Sequence, residues 1–248
     1  YIQTIDLRRL GEIARAYRLQ MEMLVKIGEF ATKDVPLVRI WLQEGARSGD
    51  PRVLSRVEAR IKRDVLEAFF LGPSPTVEQD PEYGFRLLAD VALKAISPAI
   101  NDPSTAVSCI DHLESLLVVA AQRRDESAYC LLNGPGEDWV VRHSEPVTFA
   151  ALLRRSCRQI RHYGRADFAV CYRLMRLLKE VAGEVRCLDY LKVVEEEVEA
   201  LKGQLEPGLF SHYDLEQIEL RYREAREVIA EQRERITAPK TSVQPARA

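Results

Sequence analysis

Gly84-Phe-Arg-Leu-Leu-Ala-Asp-Val-Ala-Leu-Lys-Ala-Ile-Ser-Pro-Ala-Ile-Asn-Asp-Pro-Ser-Thr-Ala106 reads as an apolar helix that stops at one proline and restarts behind another. Phe85, Leu88, Val91, Ala92, Ala95 and Ile96 recur at helical spacing before Pro98, and Val107, Ile110, Leu113 and Leu117 resume it after Pro103. The connector between them, residues 97–105, places polar side chains beside two faces that must be buried. Asp102 is well placed to cap the second helix, with Pro103 at its first position, where a missing N–H costs nothing, and Thr105 near enough to share the cap. Asn101 suits a left-handed or turn conformation. A second reading gathers Gln79, Asp80, Asp90, Asn101, Asp102, Thr105 and Arg161 around one polar pocket for a cation, a small solute or a lipid head group. Without any ligand, Arg161 instead forms a bidentate pair with one of those carboxylates and fixes helix packing. The sequence leaves cap and pocket both open.

Working outward, residues 51–70 are expected as a helix with the stripe Leu54, Val57, Ile61, Val65, Leu66 and Phe69, closed by Gly72-Pro-Ser-Pro75. Before it, residues 1–5 are β-prone, Asp6 can cap a helix buried through Leu10, Ile13 and Ala14, and Met21, Met23, Val25 and Ile27 alternate as a half-buried strand does. The stretch Val25 to Ile40 resembles the hairpin of a barrel-sandwich hybrid. The tripeptide Met21-Glu22-Met23 does not make it a swinging-arm carrier, because Glu22 has no amine to acylate. After the second long helix, Gly134-Pro-Gly136 marks a turn and residues 138–149 a short β excursion. Helical spacing returns with Leu152, Leu153, Cys157, Ile160 and Tyr163, then with Val170, Leu174, Leu177, Leu178 and Val181.

The last third carries a narrower seam. Leu191, Val194, Val198, Leu201 and Leu205, and then Leu215, Ile218, Tyr222, Ala225, Ile229, Gln232 and Ile236, lie three and four apart among dense Glu and Arg. Such helices fold back as a hairpin at Glu206-Pro-Gly208 or pair between chains, the latter making a homo-oligomer. Residues 237–248 read as a disordered tail. The expected organisation is a β-containing module over 1–44, a helical domain over 51–185, a helical hairpin or coiled coil over 187–236, and the tail.

Composition bounds the function. With 248 residues, 46% hydrophobic and 30% charged, the chain is globular, and its net charge of −2 gives no reason to expect nucleic acid. Arg154, Arg155, Arg158 and Arg161 read chiefly as a solvated helix face, with an anionic ligand or lipid phosphate as the alternative use near Arg158, Arg161 and His162. Five scattered cysteines without a CxxC pair point to a reducing compartment, and neither they nor the four histidines have zinc-site spacing, so no metal and no cofactor are expected. Cys109 and His112 share a helix, but Cys109 sits among core residues. The motifs GxGxxG, GxSxG and HExxH and the P-loop are missing, so no catalytic residue is nominated. No apolar run reaches the roughly 18 residues of a membrane span.

At Glu78-Gln-Asp80, Tyr83-Gly-Phe85, Asp90-Val-Ala-Leu-Lys-Ala-Ile-Ser-Pro98 and Ile100-Asn-Asp-Pro-Ser-Thr-Ala106, the chain resembles the DUF2254 family of predicted bacterial integral membrane proteins. Tyr1-Ile-Gln-Thr-Ile-Asp6 and Arg158-Gln-Ile-Arg-His-Tyr163 fit it too. The resemblance implies membrane segments ahead of Tyr1 and a cytoplasmic location for this portion. The expectation is therefore a mainly α protein with a small β module, serving as a scaffold or regulatory part of a membrane assembly such as a channel or transporter. The alternative is a ligand or cation receptor, or an enzyme, built on the polar pocket around Asn101 and Asp102.

Overall fold

Leu19, Met21 and Met23 are fully buried while Gln20 and Glu22 between them stay half exposed, the period-two signature of a strand covered on one face. That strand, β2 (Leu19–Met23), organises a four-stranded sheet in the order β3-β2-β6-β5. It pairs antiparallel with β3 (Val38–Leu42) and parallel with β6 (Val140–His143), which in turn pairs antiparallel with β5 (Tyr129–Leu131). The structure, a computed structural model, describes residues 1–42, 51–125, 129–131, 140–143, 147–205 and 207–238. The chain divides into two units: residues 1–84 with 125–148, and residues 85–124 with 149–248. The segment expected as one helical domain over 51–185 is thus shared between both.

In the first unit a second, two-stranded sheet joins β1 (Ile2–Ile5) to β4 (Phe69–Leu71). Between β1 and β2 lies α1 (Leu7–Tyr17), capped by the Asp6 carboxylate, which accepts from the Arg9 N–H at 2.9 Å, and closed by Arg18 in the left-handed region. Helix α2 (Pro51–Leu66) buries Ile61 and Val65 against the core of β1, α1 and β2. Here the expected helix to residue 70 is corrected. The chain leaves the helix after Leu66 because Phe69-Phe70-Leu71 supplies the antiparallel partner that β1 needs, and two aromatics favour an extended backbone. The hairpin of β2 and β3 is present, but the sheet takes its other two strands from residues 129–143. The likeness to a barrel-sandwich hybrid therefore rests on that hairpin alone. Of the expected β excursion, β6 is found; its partner lies on the other side of Gly134-Pro-Gly136, which falls outside the described residues, as do the connector at 45–50 and the tail beyond 238.

β1 is held on its other side as well. Gly28 N–H donates to the Ile2 carbonyl at 2.7 Å, Ile2 N–H to the Glu29 carbonyl at 2.9 Å, and the Ile5 N–H reaches the side-chain carbonyl of Gln79 at 3.1 Å. The neighbouring Asp80 carboxylate accepts from the Tyr83 N–H at 3.0 Å and so opens α3 (Pro81–Ala95). Gly28 has φ +82°, and a Cβ there would collide with the Asp80 carboxylate. Gln79 and Asp80 therefore seal the first unit around β1.

The second unit is a helical bundle. It comprises α4 (Pro103–Ala121), α5 (Phe149–Tyr163), α6 (Phe168–Glu184), α7 (Leu188–Gly203) and α8 (His212–Thr237), with most of α3. Its axis is α6, which buries Val170, Cys171, Leu174, Met175, Leu177, Leu178, Val181 and Ala182 and packs against α4, α5, α7 and α8. Such all-round burial marks a central helix. The C-terminal seam closes within the chain. After a 3₁₀ turn (Pro207–Leu209) and a Ser211/Asp214 capping box, α8 returns along α7, burying Ile218, Ala225 and Ile229. Arg226 bridges Glu195 and Glu199 at 2.8 Å, Arg233 reaches Glu195 at 2.6 Å, and Lys202 pairs with Glu219. The seam that suggested pairing between chains is satisfied by an αα-hairpin.

Two glycines give opposite expectations. Gly28→Ala forces an L-residue into a left-handed turn and against Asp80, and is expected to destabilise the protein by more than about 1 kcal/mol. Gly84→Ala adds a methyl to a helix where nothing lies within 4 Å, and is expected to gain about 0.5–1 kcal/mol. Urea titrations of the two variants check both signs.

Candidate functional site

The β2–β3 loop, α2 and β4 enclose an apolar groove of about 940 Å³ in the first unit. Its walls are Leu19 and Ile40 from the sheet, Ile61, Val65 and Leu66 from α2, and Leu71 from β4, with residues 31–37 along one side. Leu66 and Leu71 are 47% and 60% exposed, so large apolar side chains face water where the groove opens. Lys33, Asp34, Glu58 and Lys62 supply the charges of the lining. Such a volume, apolar walls and a few charged groups are the features of a small-ligand site.

The polar residues singled out in the sequence are distributed over both units. Gln79 and Asp80 belong to the first, where they close β1 and start α3. Asp90, Asn101, Asp102, Thr105 and Arg161 belong to the second. Asp102 accepts from the Thr105 N–H at 3.1 Å with one oxygen and from the Thr105 hydroxyl with the other. The Thr105 hydroxyl and N–H hold its carboxyl below the ordinary value. Its own N–H donates to the Ala95 carbonyl at 2.8 Å, and Asn101, at φ +49° and exposed, donates its N–H to Ser97. Asp90 lies exposed on α3. The connector is thus a hydrogen-bonded hinge pin between α3 and α4, with Asp102 and Thr105 spent on each other. Cys109 is buried and His112 exposed; burial pushes the Cys109 thiol up, and likewise takes Cys171 up to about 12, the reverse of what a nucleophile requires.

Arg161 has a different partner from those expected. On α5 its guanidinium Nε faces Glu197 of α7 at 3.4 Å, and one Nη donates to the Ala200 carbonyl at 3.3 Å. Both side chains are nearly buried, 11% and 8% exposed. Burial raises the Glu197 carboxyl, with Arg161, Arg154 and Arg158 pulling the other way. α4 carries a second clamp. By length and composition alone, α4 is the one helix among the described residues apolar enough to cross a membrane. Yet Arg173 of α6 pairs with Asp111 and donates to Glu114 at 2.7 Å, gripping two carboxylates one turn apart on α4. Composition offered the apolarity of α4, and nothing in the sequence pointed to Arg173.

Arg161→Met leaves Glu197 buried without its counter-charge and is expected to cost about 3 kcal/mol, read by chemical denaturation. Because the folded carboxyl of Glu197 is raised, its ionised form penalises the native state above that raised value. Stability should therefore gain as pH falls from there toward 4.5, and Glu197→Gln should remove this part of the pH profile. Asp102 has the opposite sign: its lowered carboxyl contributes stability above pH 3.8 that is lost below, and Asp102→Ala should lower the melting temperature at neutral pH but not in acid.

No solved structure matches the chain. An uncharacterised protein of Mycobacterium bovis and one of Mycobacterium tuberculosis strain H37Rv are each 33% identical over 196 residues, covering 76% of this chain and 34% of the relative. The chain thus spans about a third of the length of the relatives it matches. A family model described as "Predicted membrane protein (DUF2254)" matches residues 1–180, which takes in the first unit and the second up to the last turns of α6 and leaves α7 and α8 beyond it. The chain belongs to the DUF2254 family of predicted membrane proteins.

Proposed function

We propose that this chain is an extramembrane regulatory part of a DUF2254 membrane protein, and that the groove of the first unit is its sensing site for an apolar ligand. The groove carries the reading: about 940 Å³ of apolar-lined space with charges in the lining fits a small hydrophobic molecule. The extramembrane assignment is supported by α4. A helix in lipid would have to neutralise or pair Asp111 and Glu114 in the middle of its length, whereas here Arg173 of α6 answers both and the buried residues Ala106, Ile110, Leu113 and Leu117 face the bundle. The bilayer spans then belong to the part of the relatives that this chain does not cover. The free cysteines Cys109, Cys157, Cys171 and Cys187 suit the reducing, cytoplasmic side.

The groove is tested with a neutral apolar fluorophore such as N-phenyl-1-naphthylamine. The expected result is saturable binding at one site, weakened at least about tenfold in Leu66→Glu and Leu71→Glu, since a carboxylate in an apolar wall must be desolvated. Both residues are already exposed, so melting temperatures should hold within a few degrees. Binding that survives both substitutions contradicts the assignment.

A further inference from the structure

The groove of the first unit joins apolar walls to a rim that carries both signs of charge. Four charged side chains line it: Lys33 and Asp34, adjacent in the β2–β3 loop, and Glu58 and Lys62, one turn apart on the same side of α2. All four are exposed, so their charges stand where the groove meets water, while Leu19, Ile61 and Val65 are buried in its walls. Neighbouring charges of the unit are engaged: Arg60 and Arg63 with Asp64, Glu67 with Arg9, and Glu22 with Arg39 at 2.8 Å. The side chains of Lys33, Asp34, Glu58 and Lys62 make no ion pair or hydrogen bond with any described residue. Even Glu58 and Lys62 stay apart, although their spacing suits an ion pair. The loop and the helix thus each present one uncommitted cation and one uncommitted anion to the groove.

We propose that the ligand of this groove is a single-chain zwitterionic amphiphile whose head group carries a phosphate and a primary ammonium, as in lysophosphatidylethanolamine. The inference rests on the reading of the groove as an apolar-ligand site and adds the chemistry of the ligand's other end. Charge selects the head group. A purely anionic head would meet as much repulsion as attraction on this rim, and a neutral head would leave both signs to water. A head that carries both signs meets Lys33 or Lys62 with its phosphate and Asp34 or Glu58 with its ammonium. The kind of ammonium follows from the lining. None of the described lining residues is aromatic, whereas a quaternary ammonium is held by aromatic faces; a primary ammonium donates hydrogen bonds to carboxylates instead. The volume of about 940 Å³ is that of a cleft for one small ligand, which suits a single acyl chain. Exposed ion pairs are weak singly, so the chain supplies most of the affinity and the head group the selectivity.

Displacement of N-phenyl-1-naphthylamine from the full chain tests this, with myristoyl competitors held below their micelle-forming concentrations. Lysophosphatidylethanolamine should displace the dye at a concentration at least about fivefold lower than monomyristoylglycerol, myristate or lysophosphatidylcholine requires. Phosphoethanolamine without a chain should not displace it. The quadruple variant Lys33→Gln/Asp34→Asn/Glu58→Gln/Lys62→Gln, which leaves the net charge unchanged, should bring the four amphiphiles to within about twofold of one another with dye binding and melting temperature held, since all four positions are exposed. Dye that binds but yields equally to all four amphiphiles, or most readily to myristate, overturns the head-group assignment and leaves the groove reading standing. So does equal displacement by lysophosphatidylcholine, or a selectivity that persists in the quadruple variant. Displacement by phosphoethanolamine alone overturns the lipid assignment in favour of a soluble solute. A chain that fails to bind the dye contradicts the groove itself, and the lipid assignment falls with it.

Discussion

Arg173 decides what kind of helix α4 is. A 19-residue apolar helix has two stable environments, a bilayer or a protein core, and the free energy of its polar groups chooses between them. Asp111 and Glu114 would be costly in hydrocarbon. Arg173, itself largely buried on the central helix α6, satisfies both through separate nitrogens of one guanidinium, a geometry that lysine could not reproduce. The carboxylates in turn hold Arg173 in its charged form more firmly despite burial. Once α4 is fixed to α6 in this way, the remaining helices of the second unit have a surface to pack on, and the hairpin of α7 and α8 completes the cover of α6.

The first unit depends on a comparable but neutral device. A short strand, β1, is paired along one edge with β4 and tied on the other to Gly28 and Glu29, while the Gln79 side chain receives the N–H of its last residue. The residues by which the family is recognised are thus largely architectural: Gln79 and Asp80 close a strand and start a helix, and Asn101, Asp102 and Thr105 shape the turn into α4. The groove lies elsewhere, on a surface built from α2, β4 and a long loop. Recognition residues and a ligand-sized cavity need not coincide, because holding a scaffold and contacting a ligand place different demands on a side chain.

Much of this was legible in the sequence where the physics is local. Asp6 and Asp102 were readable as caps because a cap needs only a short polar side chain at one backbone position, and the three-and-four spacing of α5 to α8 survives in the buried residues. The C-terminal seam was legible as a seam but not as a hairpin within one chain, since heptad spacing is the same for both. What escaped were long-range pairings. β4 and β5 have three residues each, too few for a period to register. Arg161 was read toward Asp80, Asp90 or Asp102, whereas its partner is Glu197, on a helix whose acidic run reads as solvated. The groove was hidden for the same reason, being assembled from residues 19, 31–40, 58–66 and 71.

The central claim, that α4 is a core helix of an extramembrane bundle, is tested most directly by paramagnetic accessibility of a spin label on its outward side. Leu116, 43% exposed, is a suitable position, replaced by Cys with Cys130 and Cys187 changed to Ala. In the presence of vesicles the label should remain more accessible to a water-soluble nickel chelate than to oxygen. Accessibility to oxygen that rises above that of the chelate would place α4 in lipid and contradict the account.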